Sequence, residues 1–439
     1  MAWPPPPVAP MQLSRFALLA CAPAVLGLLL APPAGAQAQA PAAAAPAVAA
    51  AAPPTASTSL KDAFDAAWQQ QPEARALAQR RVAAQATQRA ADTWTPAPMA
   101  LELAHTSDRL NSNEGQREWE AGIAIALWRP GERSSSRALA EAQAQALERR
   151  ADLARLQLAG RLREAWWPLA QARLNHQLAD QQLQLAEQLA ADVERRMQAG
   201  ELARSDLLQA QGSVAAARAT QAEAAQAQVE AAQRWQAVAG QPAAADAALQ
   251  PEAEPAAEAA AAFDSHPRGA ELAQRLAVAQ ASAALTQRQG AGNPEITLGT
   301  TRERGSFGER GRYALNIGLR LPFGQSARQE AQWASAQAEA LELEAQLEQA
   351  RLGLATEQHS LKARVAAMRV RLAAARQRAH LAEQTRELID RSFRLGESDL
   401  PTRLRTHHEA VEAARQQAAA RLELASAISQ WRQSLGLLP

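Results

Sequence analysis

The chain holds a single cysteine, Cys21, among 439 residues. Without a second thiol there is no disulfide framework, no CxxC redox pair and no thiolate metal quartet. Aromatic residues make up only 4 % of the chain, too few for one thick globular core. Net charge is close to nil, at +1, because 46 Lys and Arg are interspersed with 45 Asp and Glu. A nucleic-acid partner is excluded for want of a basic field. Past the first forty residues no run of about eighteen apolar residues occurs, so no transmembrane helix is expected. A Gly-rich phosphate loop, a Ser-His-Asp order and a metal-ligand quartet are also missing, so neither catalysis nor a cofactor is expected.

What is present begins with a leader. Arg15 supplies a positive n-region, residues 16–30 are apolar, and Ala34-Gly35-Ala36 is the small-x-small pattern cleaved by signal peptidase. Residues 1–36 therefore read as a signal peptide, and a start at Met11 gives a more ordinary leader than Met1. Leu18-Leu19-Ala20-Cys21 also resembles a lipoprotein box, but the apolar run continues to Leu30, whereas a lipobox cysteine closes its run. With cleavage after Ala36 no cysteine remains. Residues 37–58 form an Ala/Pro-rich flexible lead.

The rest of the chain is duplicated, with an offset of about 196 residues. Pro72 with Leu77-Ala78-Gln79-Arg80 matches Pro267 with Leu272-Ala273-Gln274-Arg275; the alternating stretch from Trp119 matches that from Tyr313; Gly200-Glu201 matches Gly396-Glu397; Trp235 and Gly240 match Trp431 and Gly436. The first repeat covers residues 59–240 and the second 258–439. A low-complexity connection at 241–257 lies between them and is read as unable to bury a core.

Each repeat reads as helix, strand, strand, long helix, return helix. Strands are expected at about 99–105 and 119–128, then at 294–301 and 313–321. In the last, Tyr313, Leu315, Ile317, Leu319 and Leu321 form one face, while Ala314, Asn316, Gly318 and Arg320 form the other. Two readings fit that pattern: a lipid-embedded barrel with a wet lumen, or an amphipathic hairpin on a soluble core. In the first, Trp119, Trp128, Tyr313 and Phe323 sit at the membrane interfaces. Long helices are expected at 131–199 and 325–395, with return helices at 203–239 and 400–435. At 1.5 Å per residue the long ones span about 100 Å, which no ordinary globular domain holds. Leu162, Leu169, Leu174, Leu178, Leu185, Leu189, Val193 and Met197 recur at coiled-coil steps. Pro168 removes a backbone bond from the first rod and predicts a kink costing about 3 kcal/mol. Counting outward from Gly200, Trp166 and Trp167 stand level with Trp235. Four strands cannot close a barrel alone, because about eight are needed and open edges cannot face lipid. Two subunits would supply eight strands and three would supply twelve.

At this point the chain resembles the TolC-like outer-membrane efflux channels, which include the outer components of heavy-metal efflux systems. The resemblance runs from about Leu60 to Gly436. It rests on the duplicated element order, on RRMQAGELARSDLLQAQ (195–211) and RSFRLGESDLPTRLRTH (391–407), and on LPFG at 321–324. It implies a mainly α fold with a small β part, in which a homotrimer combines coiled-coil helical hairpins into a tunnel and twelve strands into one transmembrane barrel. It further implies an outer-membrane efflux duct for toxic compounds or heavy-metal cations, in contact with outer-membrane lipid. A periplasmic membrane-fusion adaptor and an inner-membrane RND-type pump would be its partners. Gly200 and Gly396 would mark the periplasmic tips, with Glu201, Asp206, Glu397 and Asp399 at the gate or adaptor contact. Thr402 stands where the family usually has Asp, flanked by Pro401 and Arg403, so Arg403 joins the tip set. The alternative is a soluble periplasmic coiled-coil adaptor or scaffold, though adaptors usually carry one helical hairpin rather than two.

The remaining polar groups read as surface. Among seven histidines only His407-His408-Glu409 is dense, and neighbours in a helix do not face one another. Glu141 and Glu148 have arginines nearby and read as solvated charge. The tip carboxylates also admit a purely structural reading, as charges at helix N-termini.

Overall fold

The structure is a computed structural model that describes residues 59–110, 113–244, 251–256, 263–290, 292–324 and 327–439. The expected leader, the lipobox cysteine and the Ala/Pro-rich lead lie outside these residues.

Helices α1 (Leu60–Gln70) and α2 (Pro72–Ala91) open the first repeat. Ser59 caps α1 by accepting from the Asp62 amide, and Pro72 sits in the first turn of α2, where a missing N–H costs nothing. Strands β1 (Ala100–Ser107) and β2 (Arg117–Ala126) follow, then α3 (Glu132–Gln198) and α4 (Arg204–Ala239). The second repeat supplies α5 (Pro267–Gln289), β3 (Glu295–Arg304), β4 (Arg312–Arg320), α6 (Ala327–Arg394) and α7 (Leu400–Ser434).

The long helices have 67 and 68 residues, about 100 Å each. Their runs of Ala, Leu, Gln, Glu and Arg lose little side-chain freedom in a helix. Each ends on a left-handed glycine, Gly200 at φ 81° and Gly396 at φ 79°. The Glu201 and Glu397 amides donate back to the Arg196 and Ser392 carbonyls at 2.9 and 3.0 Å, closing the same Schellman turn twice. Beyond those glycines the chain reverses, so α4 packs along α3 and α7 along α6. Pro168 lies inside α3 without breaking it: helical backbone runs unbroken from Glu132 to Gln198. Apolar packing of the same turn offsets the bond that the proline removes.

That packing is the largest core cluster. Leu162, Trp166, Trp167 and Leu169 of α3 meet Leu60 and Phe64 of α1, Trp235 of α4 and Ala425 of α7. The Trp166 and Trp235 rings stand 4.9 Å apart, which places the tryptophans at one level near the middle of the rod. Their indole N–H groups meet no acceptor among the described residues, so the cluster is held by apolar contact. The expected leucine seam is only partly a core. Leu162, Leu169 and Val193 are fully buried, but Leu185 is 43 % exposed, and small residues such as Ala170 and Ala179 take the tight positions.

The connection between repeats departs from its low-complexity reading. The Glu252 side chain is only 9 % exposed and accepts two bonds from Arg163 of α3, at 2.6 and 2.9 Å. It also accepts from Ser429 and from Arg432 of α7, the latter at 3.1 Å. Arg163 reaches on to Gln433 and to the Leu437 carbonyl. Burial alone would push the Glu252 carboxyl up, but the Arg163 and Ser429 hydrogen bonds and the charge of Arg432 outweigh it and hold the group below the usual range. One carboxylate of an Ala/Pro-rich segment thus clasps the two repeats together.

All four strands pair antiparallel in the order β1-β2-β3-β4. The central ladder, Arg117 to Ala126 against Arg304 to Glu295, joins one repeat to the other. Among the described residues β1 and β4 have no strand partner on their outer edges.

Candidate gate and membrane band

The register sorts the sheet into two faces. Leu101, Ile123, Leu298 and Ile317 form one continuous row, with Leu103, Ala121, Thr300 and Leu315 in the next. The opposite face carries Glu102, Glu118, Glu120, Glu295 and Glu303 with Arg312, Arg320, Asn316 and paired glycines at 122 and 299. Among the described residues nothing covers the apolar rows: Leu101, Leu103, Leu315, Ile317 and Leu319 are 61–79 % exposed. A soluble sheet buries that face, so its exposure calls for an apolar medium. Strands of eight to ten residues rise about 30 Å, enough for a tilted crossing.

Three of the four expected interface aromatics stand exposed near the strand ends. Trp119 stacks on His105 at 4.1 Å, Tyr313 lies beneath the Arg302 guanidinium at 5.6 Å, and Phe323 is 96 % exposed. Trp128 is different, because it lies past the end of β2, half-buried, and its indole N–H donates to the Thr93 carbonyl at 3.0 Å. That bond ties the segment after β2 to the turn after α2. The sequence reading missed Trp94, 91 % exposed at the helix-side end, and Phe307, 61 % exposed at the loop end. Both occupy loops, where strand alternation gives no signal.

At the far ends of the rods the two hairpin tips meet. Val193 and Ala210 of the first pack with Phe393 and Leu400 of the second. Two guanidiniums flank the Phe393 ring, Arg196 from the first hairpin at 5.2 Å and Arg403 at 4.6 Å. Arg403 Nε also donates to Asp390 at 2.8 Å, and Asp390 accepts from Arg386, itself paired with Glu383. Arg386, Asp390 and Arg403 line a cavity of about 630 Å³ with His407. Burial, then the charge of Arg386, pushes the His407 imidazole below its usual range.

The tip carboxylates divide in two. Asp206 turns back to accept from the Ala203 amide at 3.0 Å, and Asp399 caps α7 by accepting from the Thr402 amide at 3.1 Å. The Thr402 hydrogen bonds hold the Asp399 carboxyl below the usual range. Pro401 fits the first turn of α7, the place a helix tolerates it. Glu201 and Glu397 instead stand exposed just past their glycines and form no ion pair among the described residues. Elsewhere, Glu148 forms a two-pronged pair with Arg81 at 2.6 Å on the surface. His407 and His408 join no group of three or more metal-ligating side chains among the described residues.

Paired 100 Å-scale helical hairpins, repeated and tied to a four-stranded amphipathic sheet, define a mainly α fold with a small β part. Solved structures of outer-membrane channels share that fold. The outer membrane protein VceC of Vibrio cholerae superposes with a TM-score of 0.67 at 18 % identity, covering 86 % of this chain and 96 % of VceC. The CmeC outer membrane channel of Campylobacter jejuni gives 0.67 at 13 % identity, over 86 % and 85 %. The open-state MtrE outer membrane channel of Neisseria gonorrhoeae gives 0.63 at 16 %, over 86 % and 89 %. No protein-family model and no curated protein matches the chain by sequence. At such identities the likeness establishes the fold.

Proposed function

We propose that this chain, exported by its leader 1–36, is the subunit of a homotrimeric outer-membrane efflux duct. Three sheets joined through the open edges of β1 and β4 would close a twelve-stranded barrel with the apolar rows on lipid and the glutamate-rich face on water. The paired hairpins would continue that barrel across the periplasm as a helical tunnel. The carrying observation is the uncovered apolar face on a sheet with two open edges. A soluble adaptor or scaffold leaves that face without a medium. The shared fold of VceC, CmeC and MtrE adds support.

In this reading the duct is passive and does no chemistry. An inner-membrane RND-type pump supplies the energy and a periplasmic membrane-fusion adaptor opens the tips. Small toxic compounds or heavy-metal cations are the cargo. The tips at Gly200 and Gly396 form the entrance, where exposed Glu201 and Glu397 meet the adaptor or the permeating ion. Asp206, Asp399 and Arg403 hold the tips in shape. Reconstitution in planar bilayers tests the function. Discrete single-channel steps that change when Glu397 and Asp399 are replaced by alanine are expected. A membrane that stays silent at all protein loads would contradict it.

A further inference from the structure

The outward face of the sheet stops being apolar at its loop end. Arg117 and Arg304 are direct register partners across the β2–β3 ladder, and Arg302 stands one row further in, opposite Trp119 and Tyr313. Like charges placed directly opposite across a sheet repel. The carboxylates next to them in the strands, Glu118 and Glu303, alternate to the other face, where they lie beside Glu120. None of the three arginines forms a salt bridge among the described residues. Arg117 and Arg302 are exposed. Arg304 is steadied by the Gly115 carbonyl at 3.2 Å and the Phe307 ring at 5.8 Å. His105, Trp119 and Tyr313 lie in the same row as Arg302, so the cluster sits at an aromatic level, where hydrocarbon gives way to headgroups.

We infer that Arg117, Arg302 and Arg304 form a binding site for phosphate headgroups of the outer leaflet, of the phosphorylated-glycolipid kind. The inference rests on the barrel reading above, which turns this face toward lipid and this end toward the cell exterior. Several features fit a phosphate-bearing amphiphile. Guanidiniums match phosphate oxygens in forked geometry. The rows below them, from Leu103 and Leu315 downward, would receive acyl chains, and Trp119 and Tyr313 would lie along the sugar-level boundary. A bound phosphate also removes the Arg117–Arg304 repulsion, so the lipid would steady the β2–β3 ladder joining the repeats. A free phosphate ion shares the headgroup chemistry but uses none of the apolar rows.

The test compares wild type with an Arg117→Gln/Arg302→Gln double variant, which leaves the Arg304 bond to Gly115 in place. Both are purified in mild detergent and titrated with lipid A in mixed micelles, with inorganic phosphate as the competing probe. About fivefold weaker lipid A binding per arginine removed is expected at 0.1 M salt, with oligomer mass and single-channel conductance unchanged. An Arg117→Lys/Arg302→Lys variant, which keeps the charge and loses the fork, should bind between wild type and the Gln variant. Equal lipid A affinity in wild type and the Gln variant overturns the proposal. Complete displacement by millimolar phosphate overturns it too, because a plain anion site would then suffice. If wild type neither oligomerises nor conducts, the barrel reading itself fails, and the site falls with it.

Discussion

Replacing Glu252 by glutamine keeps the shape of the clasp between repeats and removes its charge. In the native fold Arg163, 3 % exposed, is balanced by that carboxylate at 2.6 Å, and Arg432 leans on it at 3.1 Å. Breaking a buried pair by removing one partner costs about 3–5 kcal/mol, because the remaining charge stays desolvated. Glutamine can still accept from Ser429 and one arginine, so about 3 kcal/mol is expected for Glu252→Gln and about 5 for Glu252→Ala. The assay is urea denaturation followed by helical circular dichroism at one fixed protein concentration, since assembly couples stability to concentration. Combining Arg163→Met with Glu252→Leu should cost clearly less than the two single changes added together, because the most deeply buried charge leaves with its partner and Arg432 keeps the Ala253 and Leu438 carbonyls. The pH dependence has a definite sign. The folded carboxyl titrates below its ordinary value of 4.5, so its contribution is fully present above that pH. It is lost as pH falls through the lower folded value. The Gln variant should be flatter there. A Glu252→Gln loss within about 0.5 kcal/mol of zero, or strict additivity in the cycle, would refute the clasp.

Other outcomes follow from the faces and turns. Leu315→Arg, placed on the apolar face, should cost about 2–4 kcal/mol and block assembly, whereas Asn316→Arg on the wet face should fold and lower cation preference in bilayer recordings. Gly396→Ala meets open space but holds φ 79°, so a loss of about 1–2 kcal/mol from left-handed strain alone is expected in urea melts. Asp399→Ala removes the α7 cap and should cost about 1 kcal/mol. Glu397→Ala should leave stability unchanged and alter only conductance or ion preference.

Much of this fold could be read from local chemistry. Glycine at a helix C-terminus and long Ala/Gln/Glu/Arg stretches announce the hairpins, and the alternation from Tyr313 to Leu321 announces a two-faced strand. What escaped depends on partners distant in the chain. The β2–β3 pairing brings together residues 169 to 187 positions apart, and no local pattern encodes it. Glu252 looks like linker until Arg163 and Arg432 close around it. Asp206 and Asp399 share one sequence setting with Glu201 and Glu397, and only the backbone geometry separates cap from free carboxylate. Trp128 counts as a strand-end aromatic by spacing alone, yet the Thr93 carbonyl draws it inward. Arg403 likewise gains its meaning from Phe393 and Asp390.

In the barrel reading, four strands with two open edges leave this chain incomplete alone. Its mass in detergent, with the detergent contribution subtracted by light scattering, tests that most directly. Three copies of the processed chain are expected. A monodisperse monomer that stays in solution without detergent would contradict it.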